Sequence, residues 1–372
     1  MKKPFEQIKK TLGFGCMRLP MNGEEVDTAR FSQMIDRFID AGFNYFDTAH
    51  GYLGGKSELA IGECLSARYD RESFLLANKL TSPYFETRED IRPFFESQLQ
   101  ACRVDYFDFY LIHAVSSRSY PKYKDNGAFE VAAELKREGK VKHVGMSFHD
   151  SAAFLEKVLA ENPEIEFVQL QFNYLDYDDP GVQSKLCYDV AVKYGKPVIV
   201  MEPVKGGALA NVHPEARAVL SELSDGSDAS FALRYAASFD QIYMTLSGMG
   251  NMEMMEDNIA TMSDPVLFNE KELERFAEVR AIIRRVRRIQ CTGCEYCLEP
   301  CPMDINIPKV FKAFNAHLSA ELDKSAAKAM LPKGASPADC ISCGACAAVC
   351  PQSLPIPELM EKITRNFGIG KK

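Results

Sequence analysis

From Thr11 to about Met262 the chain alternates short apolar runs of β type with longer stretches whose apolar residues recur at helical spacing. The β-type runs are TLGFGCMRL, FNYFDTA, SFLLANKL, DYFDFYLIH, KHVGMSF, EFVQLQFNYL, PVIVMEP and IYMTLSGM. Between them lie amphipathic patterns such as DTARFSQMIDRFIDAG, SELAIGECLSARY, REDIRPFFESQLQACRV and AFEVAAELKREGK, with Gly42, Gly139 and Gly195 at helix stops. Eight β units, each followed by a helix, over about 250 residues match a (β/α)8 barrel in count and size. The structural rival is a doubly wound open sheet, but no G-x-G-x-x-G opens a helix after a strand here. The expected fold class is therefore α/β, a (β/α)8 TIM barrel.

The pattern then changes. NEKELERFAEVRAIIRRVRRIQ predicts one amphipathic helix over 269–290, which at about 1.5 Å per residue reaches about 33 Å. That length returns the chain from the barrel floor to the face at the carboxyl ends of the strands. Two cysteine-rich stretches follow, separated by the mostly helical PKVFKAFNAHLSAELDKSAAKAML, and PELMEKITRNFG closes the chain as another helix. No low-complexity linker intervenes. The expectation is a barrel with its trailing helix over 1–289 and a small, mostly helical domain over 290–372, docked nearer the mouth than the floor.

Composition narrows the chemistry. Of 372 residues, 46% are apolar and 26% charged, which is globular and excludes a disordered or fibrous chain. A formal charge of −8 opposes a broad basic surface for nucleic acid. No apolar run approaches the roughly 18 residues of a membrane span, and MKKPFEQIKKTLG lacks the apolar core of a secretory signal, so a cytoplasmic location is expected. There are 12 cysteines; Cys16, Cys64, Cys102 and Cys187 are scattered, and the other eight fall between Cys291 and Cys350. Such crowding far from the main core points to metal ligation in a reducing compartment rather than to disulfides.

The eight form two runs of one spacing, Cys291-x2-Cys294-x2-Cys297-x3-Cys301-Pro302 and Cys340-x2-Cys343-x2-Cys346-x3-Cys350-Pro351. Three thiolates at three-residue intervals wrap one side of a cubane, while the fourth, before Pro, reaches the other cluster. Cys291, Cys294, Cys297 and Cys350 are thus expected to hold one [4Fe–4S] cluster, and Cys340, Cys343, Cys346 and Cys301 the second. Structural zinc is the alternative, but zinc sites use two ligand pairs around a loop rather than two four-cysteine runs ending in Cys-Pro. The segment resembles a bacterial-type two-cluster ferredoxin, and its helical insert is similar to the α-helical ferredoxin modules of reductases.

Four polar residues stand at or beyond the ends of successive predicted strands: Asp47, Tyr52, Lys79 and His113. A barrel gathers those ends into one face. A Tyr hydroxyl beside a Lys paired with a carboxylate is expected to have its pKa lowered towards the working range of an acid, with His113 orienting a carbonyl. Here FDTAHGY, ANKL, YLIHA and LGFGCMRLP resemble the aldo-keto reductases across about residues 10–290. The resemblance implies Tyr52 as general acid, Lys79 and Asp47 tuning it, His113 positioning the carbonyl, and His50 inside the catalytic loop. The remaining histidines, His143, His149, His213 and His317, read as packing or surface residues.

The resemblance also implies a nicotinamide site, in part. Ser147 and Gln169 match positions that bind the carboxamide; Cys16 and Met17 lie beside it; Met201 replaces the aromatic that stacks on the ring. Pro203, Val204, Lys205 and Gly206 belong to the loop 203–207 over the pyrophosphate, where Lys205 either pairs with phosphate or is solvated. Asp257 and Asn258 match the pair that holds adenine. Gly248 and Met254 replace the cations that grip a 2′-phosphate, so NADH, NADPH, another adenine nucleotide or no nicotinamide all stay open.

Hydride moves two electrons and a cluster one, so the two normally need an intermediary such as flavin, for which the sequence carries no motif. The leading expectation is an iron–sulfur oxidoreductase of aldo-keto reductase type acting on a small carbonyl or alcohol with NAD(P)H. The alternative is an electron-transfer protein whose barrel docks a redox partner or holds a flavin. Arg280, Arg284, Arg285, Arg287 and Arg288 read either as a face paired to barrel carboxylates or as a docking patch for an acidic ferredoxin or flavodoxin.

Overall fold

Each β-type run becomes a strand of one closed parallel barrel: β1 (Leu12–Gly15), β2 (Tyr45–Asp47), β3 (Leu75–Leu80), β4 (Phe107–Val115), β5 (Val141–Phe148), β6 (Phe167–Gln171), β7 (Val198–Met201) and β8 (Ile242–Ser247). The computed structural model describes residues 5–285, 289–318 and 322–370. Closure is by β8 on β1, in the register Leu12↔Thr245 and Phe14↔Ser247.

Strand side chains alternate between the barrel interior and the helices outside. Tyr45, Leu75, Ala77, Phe109, Leu111, Phe167, Ile199, Met244 and Leu246 pack together as the interior, and Phe5 and Ile8 of the amino-terminal segment join them. The Phe5 ring meets Phe109 and Phe167 at 5.1 and 5.7 Å, plugging the floor. Gly145 is required in this layer, because a Cβ there would lie 2.4 Å from the Phe167 ring. Two residues further along the same strands the interior turns polar, with Asp47, Lys79, His113, Ser147 and Gln169 all buried. The period-2 rule thus lifts the polar set to the carboxyl-end mouth above an apolar floor.

Outside, the helices follow the amphipathic patterns. Thr28–Asp40 buries Phe31, Met34, Ile35 and Phe38 against the barrel and is capped by Asp27, which accepts from the Arg30 amide. The stop glycines Gly42, Gly139 and Gly195 all have positive φ. SELAIGECLSARY differs from the single helix expected: an α-helix over Lys56–Ile61 widens into a π-helical turn over Gly62–Ser66. A Cβ on Gly62 would sit 2.3 Å from the Ala101 carbonyl, so this turn packs directly on neighbouring backbone.

Among the described residues the trailing helix covers Glu270–Arg285, and Asn269, Ile289 and Gln290 of the stretch 269–290 expected for it are not helical. It climbs back to the mouth, where Arg284 donates to the Leu175 carbonyl at 2.8 Å and to Asp178 at 2.6 Å. Arg280 also reaches Asp178, and Arg285 pairs with Glu215. These three arginines therefore tie the helix to barrel carboxylates; Arg287 and Arg288 lie outside the described residues. Beyond it a second apolar core forms from Ile305, Ile307, Phe311, Phe314, Met360 and Phe367 with Cys297 and Cys346, separate from the barrel's core. Its helices Ile307–Leu318 and Ile356–Phe367 carry most of that core. This segment sits on the barrel mouth, as the course of the trailing helix leads one to expect. Among the described residues no helix is long and apolar enough to cross a membrane.

Candidate active site

Lys79, fully buried, organises the mouth. Its Nζ donates to Asp47 Oδ1 at 2.7 Å, to the Thr48 carbonyl at 2.8 Å and to Tyr52 Oη at 3.1 Å. Gln169 Nε2 donates to the other Asp47 oxygen at 3.1 Å. Tyr52 opens a tight loop in which Leu53, Gly54 and Gly55 all have positive φ, and this aims its phenol back at Lys79. The His113 ring stands 6.2 Å from that of Tyr52, and its Nδ1 shares a hydrogen bond of 2.7 Å with the Thr81 hydroxyl. The four residues expected to converge do so.

Their electrostatics differ from the expectation. Burial pushes the Tyr52 phenol well above its ordinary range, Asp47 adds to this, and Arg18 pulls the other way. The expected lowering fails because the Lys79 charge is already matched by Asp47 at 2.7 Å, leaving desolvation of the phenolate in control. Tyr52 therefore carries its proton at neutral pH, the state a general acid needs. Burial, then the Lys79 charge, holds His113 well below an ordinary imidazole, so it is neutral and uncharged towards a substrate oxygen.

His50 lies in the loop just before Tyr52. Its Nδ1 pairs with buried Glu58 at 2.7 Å and its ring packs on Tyr84 and Phe94. His143 and His149 are held by Glu166 and Gln171, His213 caps a helix, and His317 packs on Phe314 and Phe367.

The residues expected to hold nicotinamide are only partly gathered. Ser147 and Gln169 stand in the polar layer, although the Ser147 hydroxyl already accepts from the Ala114 amide at 2.8 Å. Met201 ends β7 beside them, partly buried. Cys16 is fully enclosed in the barrel's outer core, and Met17 beside it is partly buried. Asp257 accepts from Ser227 at 2.6 Å and Asn258 donates to Ser247 at 2.7 Å, tying their helix to its neighbours.

Lys205 is a correction. It is neither solvated nor free for phosphate: it is 2% exposed and held between the Asp176 carboxylate and the Gln352 side-chain carbonyl. Val204 is half-buried and Pro203 buried next to it. A Cβ on Gly206 would lie 2.4 Å from the Thr292 carbonyl oxygen, so the loop 203–207 is packed against the iron–sulfur segment. Arg18, beside Gly248, spans the same junction and donates to that carbonyl at 2.9 Å. Lys205 is thus engaged within the protein at the loop 203–207, while Ser147 and Gln169 stand in the polar layer of the mouth.

The cysteines separate into two sets. Cys291, Cys294, Cys297 and Cys350 line one small cavity with Phe311, and Cys301, Cys340, Cys343 and Cys346 line another with Met360. Ile307 and Ile356 border both. Among the described residues no group of three or more His, Cys, Asp or Glu is arranged to hold a single metal ion. Soft sulfur donors spread around a cavity suit a cluster better than one zinc ion.

Several residues at this junction escaped the sequence reading. Glu202 follows β7 in the left-handed region, φ 55°, and accepts from Gln352 Nε2 at 2.8 Å. Burial pushes its carboxyl up, with Lys205 pulling it back. Tyr296 lies inside the first cysteine motif. Burial raises its phenol, and Tyr52, Cys294, Lys79 and Glu202 are near enough to act on it. An ionisable residue at a strand end and an aromatic inside a cluster motif were the signals available.

The sequence profile of the aldo/keto reductase family matches residues 11–281. The chain belongs to the aldo/keto reductase family. It is an oxidoreductase of that NAD(P)-linked family, and residues 290–354 match a 4Fe-4S dicluster domain. It is 25% identical to L-galactose dehydrogenase of Arabidopsis thaliana, over 67% of this chain and 82% of that one. It is 29% identical to an aldo-keto reductase of Strobilurus tenacellus, over 56% of this chain and 62% of that one. It is 28% identical to the NADH-specific methylglyoxal reductase of Escherichia coli, over 48% of this chain and 62% of that one. The chain thus spans less than two thirds of the length of these last two relatives. The holo aldo-keto reductase of Bacillus halodurans superposes with a TM-score of 0.60 at 23% identity, over 73% of this chain and 92% of that one. A Klebsiella pneumoniae aldo-keto reductase in complex with NADPH gives 0.57 at 18%, over 74% and 95%. At these identities the likeness bears on fold.

Proposed function

We propose that the barrel mouth reduces a small-molecule carbonyl, or oxidises the corresponding alcohol, with Tyr52 as the general acid. The observation that carries this reading is the 3.1 Å hydrogen bond from Lys79 to Tyr52 Oη within a buried Lys79–Asp47 pair. A substrate oxygen above Tyr52 would receive its proton as negative charge develops there. Lys79 steadies the phenolate left behind, and Asp47 with Gln169 fixes Lys79 in place. Neutral His113 directs the oxygen towards Tyr52 without competing for its proton.

The eight cysteines are proposed to hold two [4Fe–4S] clusters, Cys291, Cys294, Cys297 and Cys350 around one, Cys301, Cys340, Cys343 and Cys346 around the other. Bound there, they would supply one-electron transfer. The chain is read as a barrel over 1–289 and an iron–sulfur domain over 290–372. NAD(P)H is the hydride source the family implies, with Ser147, Gln169 and Met201 at its ring end. A ferredoxin or flavodoxin is the proposed electron carrier, and the cytoplasm the proposed location.

A second reading is supported by a cleft of about 780 Å³ beside Cys291 and Gly206, bordered by Lys309 and Lys312. In it the barrel holds a flavin or docks a redox partner and does no carbonyl chemistry. Identification of the cofactors released from anaerobically purified protein separates the two. Fluorescence titration with NADH and NADPH tests the nicotinamide. Tyr52→Phe is expected to abolish carbonyl reduction while dithionite still bleaches the clusters; full turnover in that variant overturns the assignment of the acid.

A further inference from the structure

Lys79 and Thr81 stand two residues apart at the carboxyl end of β3, and Thr81 keeps the extended backbone of the strand at φ −108° and ψ 124°. Period 2 therefore turns both side chains to the same side, towards the mouth. Lys79 serves Tyr52 there, and Thr81 serves His113. The register Leu80↔Ile112 sets Thr81 alongside His113 on β4, and the Thr81 hydroxyl lies 2.7 Å from His113 Nδ1. Tyr123, fully buried, locks the pair. Its hydroxyl donates to the His113 carbonyl at 2.6 Å and accepts from the Ser82 amide at 2.9 Å. Ala114, next after His113, sits in the left-handed region at φ 49°, a costly state for a residue with a Cβ. Two hydroxyls keep it there, Ser147 accepting from its amide and Ser119 donating to its carbonyl, each at 2.8 Å. Backbone and ring of His113 are thus both held, on different atoms, by side chains outside its own strand.

We propose that Thr81 is the positioning residue for His113: its hydroxyl donates to Nδ1 and so keeps the ring proton on Nε2, the nitrogen offered to the substrate oxygen. The part played towards substrate rests on the carbonyl reading; the tautomer rests on hydrogen-bond accounting. The hydroxyl has one hydrogen, and Nδ1 is its one polar contact among the described residues. With the proton on Nδ1, the ring would donate to Thr81 and the Thr81 hydrogen would find no acceptor among them. Nε2 would then meet a carbonyl oxygen with a lone pair, and two lone pairs repel. With the proton on Nε2, the hydroxyl donates to Nδ1, and Nε2, which has no partner among the described residues, is left as a donor. Burial, then the Lys79 charge, holds His113 uncharged, so the choice lies between two neutral tautomers. Threonine suits the task because its branched Cβ restricts χ1 and keeps the hydroxyl aimed at the ring.

The test uses the full chain, purified anaerobically and kept oxidised, with the histidine ring nitrogens isotope-labelled for NMR. The His113 signals are those lost in His113→Gln. At neutral pH the wild-type ring should carry its proton on Nε2; a proton on Nδ1 overturns the inference whatever the activity. Thr81→Val keeps the shape, removes the hydrogen bond and should move the proton towards Nδ1. Thr81→Ala should do the same if the valine variant fails to fold, and Thr81→Ser should restore the wild-type tautomer. If neither Thr81→Val nor Thr81→Ala moves the proton, the inference falls. In carbonyl reduction with NADH or NADPH, Thr81→Val should lower kcat/KM roughly tenfold, and Thr81→Ser should recover it. A shifted tautomer with an unchanged rate also overturns the inference, because Nε2 would then not serve the substrate. If the tautomer shifts as expected but wild type reduces no carbonyl, the carbonyl reading falls and the placing of the proton by Thr81 stands. If wild type reduces carbonyls and Thr81→Val changes neither tautomer nor rate, the inference falls and the carbonyl reading stands.

Discussion

Gln352 donates its side-chain amide to Glu202 at 2.8 Å and offers its carbonyl to Lys205, so one side chain of the iron–sulfur segment satisfies two charged groups of the barrel. Lys205 is paired in turn with buried Asp176. The junction between the two parts of the molecule is therefore polar, enclosed and specific in its partners.

Removing a member of this network should be felt as stability. Gln352→Leu leaves buried donors and acceptors short of a partner, a loss of about 1–3 kcal/mol. Lys205→Met strands Asp176 and should cost about 3–5 kcal/mol. Chemical denaturation of the loaded protein measures both, and Lys205→Met no less stable than wild type would contradict the network.

Gly206 is held at φ +61° with Thr292 packed where a Cβ would point. Gly206→Ala should destabilise the protein by at least about 1 kcal/mol, from the backbone term alone. Because the strain falls at the junction, faster hydrogen exchange around Thr292 is the measurement, with the barrel floor unaffected.

Acid should weaken the barrel before its carboxylates titrate. Burial lowers the His149 imidazole from 6.5 to about 4, and His113 moves in the same direction. Between those values the unfolded chain binds protons that the folded chain refuses, so stability is full above pH 6.5 and declines as pH falls towards 4. His149→Gln should flatten the slope of unfolding free energy against pH in that window. An unchanged slope would show that His149 is not one of the responsible groups.

Iron removal should act on one part of the chain. The core around residues 289–369 is small and is built around Cys297 and Cys346, and a core of that size needs a staple. After chelation, protease cuts are expected within 290–370 while the barrel survives, as read by mass spectrometry of the fragments. Unchanged protection would mean that the cysteines hold nothing structural.

Much of this was legible in the chain. The alternation of β-type runs and amphipathic helices places all eight strands, because period 2 and period 3.6 are local properties of consecutive residues. Asp47, Tyr52, Lys79 and His113 were legible because a parallel barrel brings its strand ends together whatever the loops do. Three cysteines of each set were legible because their spacing is local, and the fourth because the Cys-Pro step turns the chain towards the other set. What only the tertiary structure decided were relations between distant segments: Lys205 taken by Asp176 and Gln352, Gly206 closed by Thr292, and Glu202 bonded by Gln352. The sign of the Tyr52 shift also belongs here. Residue identity placed a cation beside it, but burial, which depends on everything packed around the phenol, outweighed that cation.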